Sequence, residues 1–352
     1  MNGHSNFRLV LTDNTALTER EFFKRELRLE LSPSNPIEIK YENLSFSEPI
    51  MIASTNPYVW LPFLKSLPKE STVFFLLGNE TYEPDLYESL NNLISIKHVF
   101  VYNPPTSIHP KTKFYSLIGD LIDQYPKYKS REIMGALRDN RISNHLKGKF
   151  ADTNMEYSWS SLPQGYSNSF VHGLTELGLI SKEDSSLTDK IVTQKLQNFQ
   201  CKIRRYFLVG QRTNRRRESV IRILEKRSDS IVIIKETGFG GNVFDGDVSY
   251  AHLLSTSWFN IIPPGFFNNY NHRYTESCIV GAIPVVLSHN SIDTSLNSNW
   301  TNCLPNYQSH SFRLIMSYLS KLDELDLVKL AMNIAENDFH AIQETREILS
   351  GL

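Results

Sequence analysis

Cysteine is scarce in this chain of 352 residues: Cys201, Cys278 and Cys303 stand far apart, and no CxxC pair occurs. Such spacing supports neither a disulfide framework nor a structural zinc site, and it favours a reducing compartment. An excess of one charge is missing too. With 37 Lys and Arg against 38 Asp and Glu the formal net charge is -1, so no global field draws the chain to nucleic acid or an anionic membrane. Any basic patch must be local. No apolar run approaches the roughly 20 residues needed to cross a bilayer. The opening stretch, MNGHSNFRLVLTDN, has no apolar core of signal-peptide length. The expectation is a soluble, cytoplasmic chain with room for peripheral association with membrane-bound assembly machinery, lumenal only if an N-terminal anchor had been removed. Histidine supplies no HExxH or HxH pair, and no nucleophile-elbow serine occurs, so hydrolase and metal-site readings lack support. His109, His172 and His272 fall in predicted loops and read as surface residues, although His272 adjoins the stretch discussed below.

What is present is a soluble globular composition, 40% hydrophobic and 21% charged, in a chain too long for one ordinary core. Its first half alternates short apolar runs with helical patterns: FRLVL (7–11) then TEREFFKRELRLEL, IMIA (50–53), VFFLL (73–77) and HVFVY (98–102). Strand, helix, strand, helix is the signature of a parallel sheet covered on both faces. Residues 126–165 carry turn chemistry, and the domain junction is expected there. A second alternating half follows: RRYFLV (204–209), SIVIIK (230–235), WFNII (258–262) and IPVVL (283–287), each separated by a helical pattern, with two helices closing the chain. The predicted fold is α/β, with two Rossmann-like domains, 1–160 and 161–352, facing a cleft, the last helices of the second free to cross back. In such sheets ligands sit outside the carboxyl ends of the strands.

The richest segment is WFNIIPPGFFNNYNHRYTESCIVGAIPVVLS, residues 258–288. A strand ends, Pro263-Pro264-Gly265 turns the chain, and a polar, aromatic loop leads to a helix predicted to begin at His272 or Arg273. Arg273 is a forked, permanently charged donor suited to phosphate oxygens, placed where a helix start favours an anion. Glu276, three residues on, shares its face and can accept two hydrogen bonds from vicinal hydroxyls such as those of a ribose. Gly281 is placed to stop the helix before the buried strand. Spacing alone leaves a plain alternative, an Arg–Glu ion pair on a solvated helix surface.

Residues 261–288 resemble the nucleotide-binding segment of the exostosin-like glycosyltransferases: a strand, P-x-G, a variable loop, R-x-x-E-[AS], then G-x-I-P-V-V. The matching residues are Pro263 or Pro264, Gly265, Arg273, Glu276, Gly281, Ile283, Pro284, Val285 and Val286. Weaker similarity runs back through YFLVGQRTNRRRES and LPQGY. GNET followed by VFVYNP resembles the GDE and next strand of xylosyltransferase relatives, with Asn79 in place of the aspartate. The resemblance implies a two-domain, GT-B type, metal-independent hexosyl- or pentosyltransferase with no cofactor. Its co-substrate would be a nucleotide-sugar, UDP-linked by family habit, held by the C-terminal domain (161–352), with Arg273 on phosphate and Glu276 on ribose, and 1–160 would be the acceptor domain. Inverting transfer to a saccharide or glycolipid acceptor in polysaccharide or glycoconjugate synthesis would follow. Alternatives are a non-catalytic nucleotide- or carbohydrate-binding subunit, a CMP-sugar-dependent transferase and a sugar-nucleotide epimerase.

Other stretches add candidates. In VGQRTNRRRE, Gly210 permits close backbone approach, and Gly210, Gln211, Arg212 and Arg215 are expected near the donor. Cations crowding a helix start are unfavourable unless an anion receives them. Arg216 and Arg217 read as a solvated helix face. IIKETGFGGN ends a strand with Thr237 and Gly238 near the same crevice, yet matches neither a Walker loop nor GxGxxG. Asp245-Gly246-Asp247 has the form of a metal-binding DxD triplet, but Asp247 precedes a predicted helix and reads better as its cap. A base for the acceptor proton must come from the facing domain. Glu80 is preferred over Asp13, with Asp85 also at that edge.

Overall fold

The computed structural model describes residues 8–11, 19–31, 50–54, 60–76, 89–90, 92–102, 158–163, 165–184, 186–211, 215–235, 247–263, 272–286 and 312–352. It is an α/β protein with two parallel, Rossmann-like sheets, and the chain divides into two compact units. The first unit takes its described residues from 8–102, 158–168 and 341–352, the second from 169–340.

Strands β1 (Arg8–Leu11), β2 (Glu30–Leu31), β3 (Ile50–Ser54), β4 (Thr72–Leu76), β5 (Ile96–Tyr102) and β6 (Ser158–Leu162) form the first sheet in the order β2-β1-β3-β4-β5-β6. Every pairing is parallel. Val73, Phe74 and Phe75 of β4 are each fully buried, as a central strand covered on both faces requires. Helix α1 (Arg20–Arg25) buries Phe22 and Phe23, and α2 (Leu61–Leu64) buries Phe63 and Leu64. The core is aromatic: Phe75 stacks on Phe100 at 5.0 Å, and Phe23 meets Phe75 edge-on at 5.3 Å.

Two departures from the sequence reading have clear causes. The helix expected to run through TEREFFKRELRLEL ends at Arg25, and Glu30–Leu31 is a strand instead. Arg28 adopts φ 55°, a left-handed conformation that a right-handed helix cannot contain, so the chain turns there with Leu27 and Leu29 buried on either side. The supposed turn region also contains β6, which completes the sheet beside β5. There the His98 ring nitrogen Nε2 lies 3.1 Å from Ser160 Oγ, so a serine-rich strand is held by hydroxyl pairing as well as by its ladder. Burial pushes the His98 imidazole down to about 4.

In the second unit, β7 (Arg204–Gln211), β8 (Ser230–Lys235), β9 (Ser257–Ile262) and β10 (Ile283–Val286) form a parallel sheet in the order β10-β9-β7-β8. Helices α3 (Asn168–Glu176) and α4 (Lys190–Leu196) precede it. Helices α5 (Arg215–Leu224), α6 (Asp247–Ser255) and α7 (Arg273–Ile279) connect its strands, and α8 (Phe312–Leu319) and α9 (Glu324–Gly351) close the chain. His172, expected in a loop, is exposed on α3. Asp189 caps α4 by accepting the Ile191 N–H at 2.9 Å. The core joins Leu208 and Ile261 of the sheet to Ile221 of α5, Cys278 of α7, Leu319 of α8 and Ile334 of α9. No helix among the described residues is long and apolar enough to cross a membrane.

Strand order positions the site. From β7 the chain goes to β8 on one side and then returns to β9 on the other, so connections leave in opposite directions at the β7/β9 boundary. Such a reversal opens a crevice outside the carboxyl ends of the two strands, where ligands of open α/β sheets bind.

Candidate functional site

Helix α7 begins at the carboxyl edge of β9 and is buried along almost its whole length: Tyr274, Thr275, Glu276, Ser277, Cys278 and Ile279 are all inside. Seven residues contribute little helical stability on their own, so tertiary contacts must hold it. They do so at both ends. At the carboxyl end Gly281 adopts φ 66°, its N–H donates to Cys278 O at 3.2 Å, and the Ala282 N–H reaches Ser277 O at 2.9 Å. This crossed pair of bonds is the Schellman arrangement, available because glycine has no penalty in the left-handed region. The Gln197 amide donates to Cys278 O at 2.7 Å and the Lys202 ammonium to Val280 O at 2.8 Å, so side chains from outside the helix satisfy its last carbonyls. Burial pushes Lys202 down to about 7.

The polar side chains of α7 are paired. Thr275 Oγ1 donates to Asp338 Oδ1 at 3.3 Å, and Asn260 Nδ2 of β9 donates to Ser277 Oγ at 2.8 Å. The Ser277 hydroxyl in turn donates to Arg273 O. Glu276 is 2% exposed, and its Oε2 accepts the Tyr250 hydroxyl of α6 at 2.6 Å. A surface ion pair, the plain alternative for Arg273 and Glu276, is therefore excluded, because this carboxylate does not lie on a solvated face. The Tyr250 phenol is pushed well above its ordinary range by burial first and by the Glu276 charge second, while the Arg273 charge works the other way. Tyr250 is thus a proton donor to Glu276 at any ordinary pH.

Arg273 crosses the crevice. Its Nη1 donates to Val209 O of β7 at 2.8 Å. Arg217 of α5 reaches the other way, its Nη2 donating to Pro263 O just past β9 at 3.3 Å. Gly210 is near both: a Cβ placed on it would be 3.8 Å from Arg217 Nη1 and 3.9 Å from Arg273 Nη1. The two nitrogens are therefore no more than about 8 Å apart, where two unit charges repel by at least ~2 kcal/mol at an effective dielectric constant of ~20. Two guanidiniums, one of them only 9% exposed, thus face the β7/β9 boundary beside a residue with no side chain. That arrangement suits a multiply charged anion.

Among the sequence candidates, Gly210, Arg273 and Glu276 meet in this one region. Gln211 ends β7 and Arg215 opens α5, so both backbones lie at the same edge of the sheet. Helix α6 starts at Asp247. Arg212, Thr237, Gly238, Asp245, Gly265 and the proposed bases Glu80 and Asp13, with Asp85, lie outside the described residues. One reading needs correction: Arg217 is not on a solvated helix face. It shares the buried stripe of α5 with Val220, Ile221 and Leu224, at spacings of three, four and seven. That periodicity is present in the sequence and could have revealed it. Tyr250 was likewise missed, and its neighbours along α6 give no local hint of a partner 26 residues away.

Comparison with known proteins gives no match: no protein-family model, no curated protein and no solved structure matches the chain.

Proposed function

We propose that the chain is a glycosyltransferase of the GT-B type, similar to the exostosin-like enzymes. It moves a sugar from a nucleotide-sugar, UDP-linked, to a saccharide or glycolipid acceptor. The observation that carries this reading is the pairing of a buried carboxylate with guanidiniums at a topological switch point: Glu276 at 2% exposure beside Arg273, with Arg217 across Gly210. A nucleoside diphosphate presents complementary chemistry, a ribose diol for the carboxylate and phosphate oxygens for the cations.

In this reading the acceptor oxygen forms a bond to the anomeric carbon as the bond from that carbon to the phosphate oxygen breaks. The electron pair leaves with the nucleoside diphosphate, and the acceptor proton passes to a carboxylate of the first unit, Glu80 or Asp13. Charge growing on the leaving phosphate is the largest electrostatic demand, met by Arg273 and Arg217. Single displacement inverts the anomeric centre.

A thermal-shift screen across nucleoside mono- and diphosphates tests the reading. A ligand at one hundred times its Kd stabilises the fold by roughly 2.7 kcal/mol, so a true donor nucleotide stands out. Glu276→Gln keeps an acceptor for the Tyr250 hydroxyl and should fold, yet lose most of that stabilisation. An unchanged shift in the variant would remove Glu276 from the site, and absence of any shift with wild type would sink the assignment. Binding without transfer to any acceptor or water would leave a binding subunit instead of an enzyme.

A further inference from the structure

We infer that Tyr250 is the positioning residue of the donor site, aiming the Glu276 carboxylate at the ribose hydroxyls and so setting preference for a ribonucleotide over its deoxy counterpart. The inference rests on the nucleotide-sugar reading above and goes one residue beyond it. The sequence resemblance assigns nothing to Tyr250.

The geometry supplies three links. First, the 2.6 Å bond from the Tyr250 hydroxyl to Oε2 is short and charge-assisted, and it ties one carboxylate oxygen to α6. A glutamate has three side-chain torsions. Holding one oxygen restricts those torsions and with them the directions in which the second oxygen's lone pairs can point. Second, the Tyr250 ring is itself held. It meets Phe207 of β7 at 6.0 Å and Phe170 of α3 edge-on at 6.3 Å, so the hydroxyl is anchored to the sheet as well as to its own helix. Third, the phenol stays protonated, because burial and Glu276 both hold its proton on. Oε2 therefore keeps its donor, and an ionised carboxylate is an acceptor only, for which a pair of vicinal hydroxyls is the matching donor set.

The charged groups acting on the Tyr250 phenol are Glu276 and Arg273, both on α7, while Arg217 of α5 approaches Gly210. Both cations have a guanidinium nitrogen within 4 Å of the Cβ position of Gly210, where phosphate belongs in the proposed pose. In that pose the carboxylate and phenol take the sugar end of a nucleotide whose phosphates lie on the guanidiniums.

The test compares UDP with 2′,3′-dideoxy-UDP by titration calorimetry on the whole chain, and ADP, GDP and CDP with their dideoxy forms if UDP gives no heat. Wild type should bind the ribonucleotide about tenfold or more tightly than the dideoxy form, since a hydroxyl on a carboxylate is a strong contact. Tyr250→Phe should weaken the ribonucleotide while leaving dideoxy affinity within about threefold, collapsing the preference. A merely structural tyrosine would weaken both ligands alike, and that outcome overturns the inference. So does equal binding of the two ligands by wild type, a result that needs no variant to fold. If no nucleotide binds at all, the nucleotide-sugar reading fails first and takes this inference with it.

Discussion

Gly210→Ala separates folding from binding more cleanly than any other change at the site. The added methyl meets no described atom closer than 3.8 Å, an ordinary van der Waals distance, and Gly210 is not in the left-handed region. Alanine at a compatible position loses less chain entropy on folding, worth about 0.4–1 kcal/mol, so ligand-free stability should stay level or rise. A rise of that size moves the midpoint of a unit of this length by a few degrees at most, roughly 1–4 °C. Binding should respond in the opposite direction. The methyl would stand within 4 Å of a guanidinium nitrogen of both Arg217 and Arg273, so a phosphate bridging them there is expected to give up one charge-assisted hydrogen bond or move outward. Such a bond is worth about 1.5–3 kcal/mol, which corresponds to roughly a ten- to hundredfold loss of nucleotide affinity. Thermal unfolding without ligand and calorimetric titration with UDP measure the two quantities on the same preparations. Wild-type affinity in the variant would show that no phosphate passes between these arginines. A loss of several kcal/mol of stability would show that the space beside Gly210 is not as open as its neighbours indicate.

The other expectations concern stability. His98 is held at about 4 in the fold against about 6.5 when exposed, so between those values the unfolded chain binds the extra proton. Stability from neutral His98 is fully present above pH 6.5, falls as the pH drops toward 4 and levels off below, a total on the order of 3 kcal/mol. Urea unfolding of wild type and His98→Asn across that window checks it: the variant should lose less, and parallel curves would exclude a buried neutral imidazole. Glycines with φ near 65° behave unlike Gly210. Gly281→Ala puts a Cβ 2.9 Å from the Phe199 ring and should cost about 2–4 kcal/mol, from backbone strain and overpacking together. Gly165→Ala places it 2.5 Å from the ring of Phe22 and should cost more; denaturant midpoints near wild type for either variant would contradict the packing described.

Much of the second unit could be read before any coordinates, because its strands are long apolar runs and its helices have a clear period. SIVIIK is a strand over the residues expected, Ser230–Lys235. The stop at Gly281 followed from the special backbone that a short helix needs before a buried strand. What escaped has a common physical character. Glu30–Leu31 and Ser158–Leu162 are strands because neighbours in the sheet recruit them, and neither is apolar enough to announce itself. Arg217 was set aside because a run of arginines suggests a wet surface, although its spacing from Val220 and Leu224 puts it on the inner stripe.

Local order along the chain was enough to set the alternation of strand and helix, the short helix carrying Arg273 and Glu276, and its sharp ends, since each depends on residues within a turn or two. Tertiary structure alone decided which strands lie side by side. Only because β7 pairs with β9 does Arg273 reach Val209, 64 residues earlier, and only because α6 packs beside α7 does Tyr250 meet Glu276. Strand order is settled by competition among all the apolar faces for burial, and that competition leaves no mark on any single stretch of sequence.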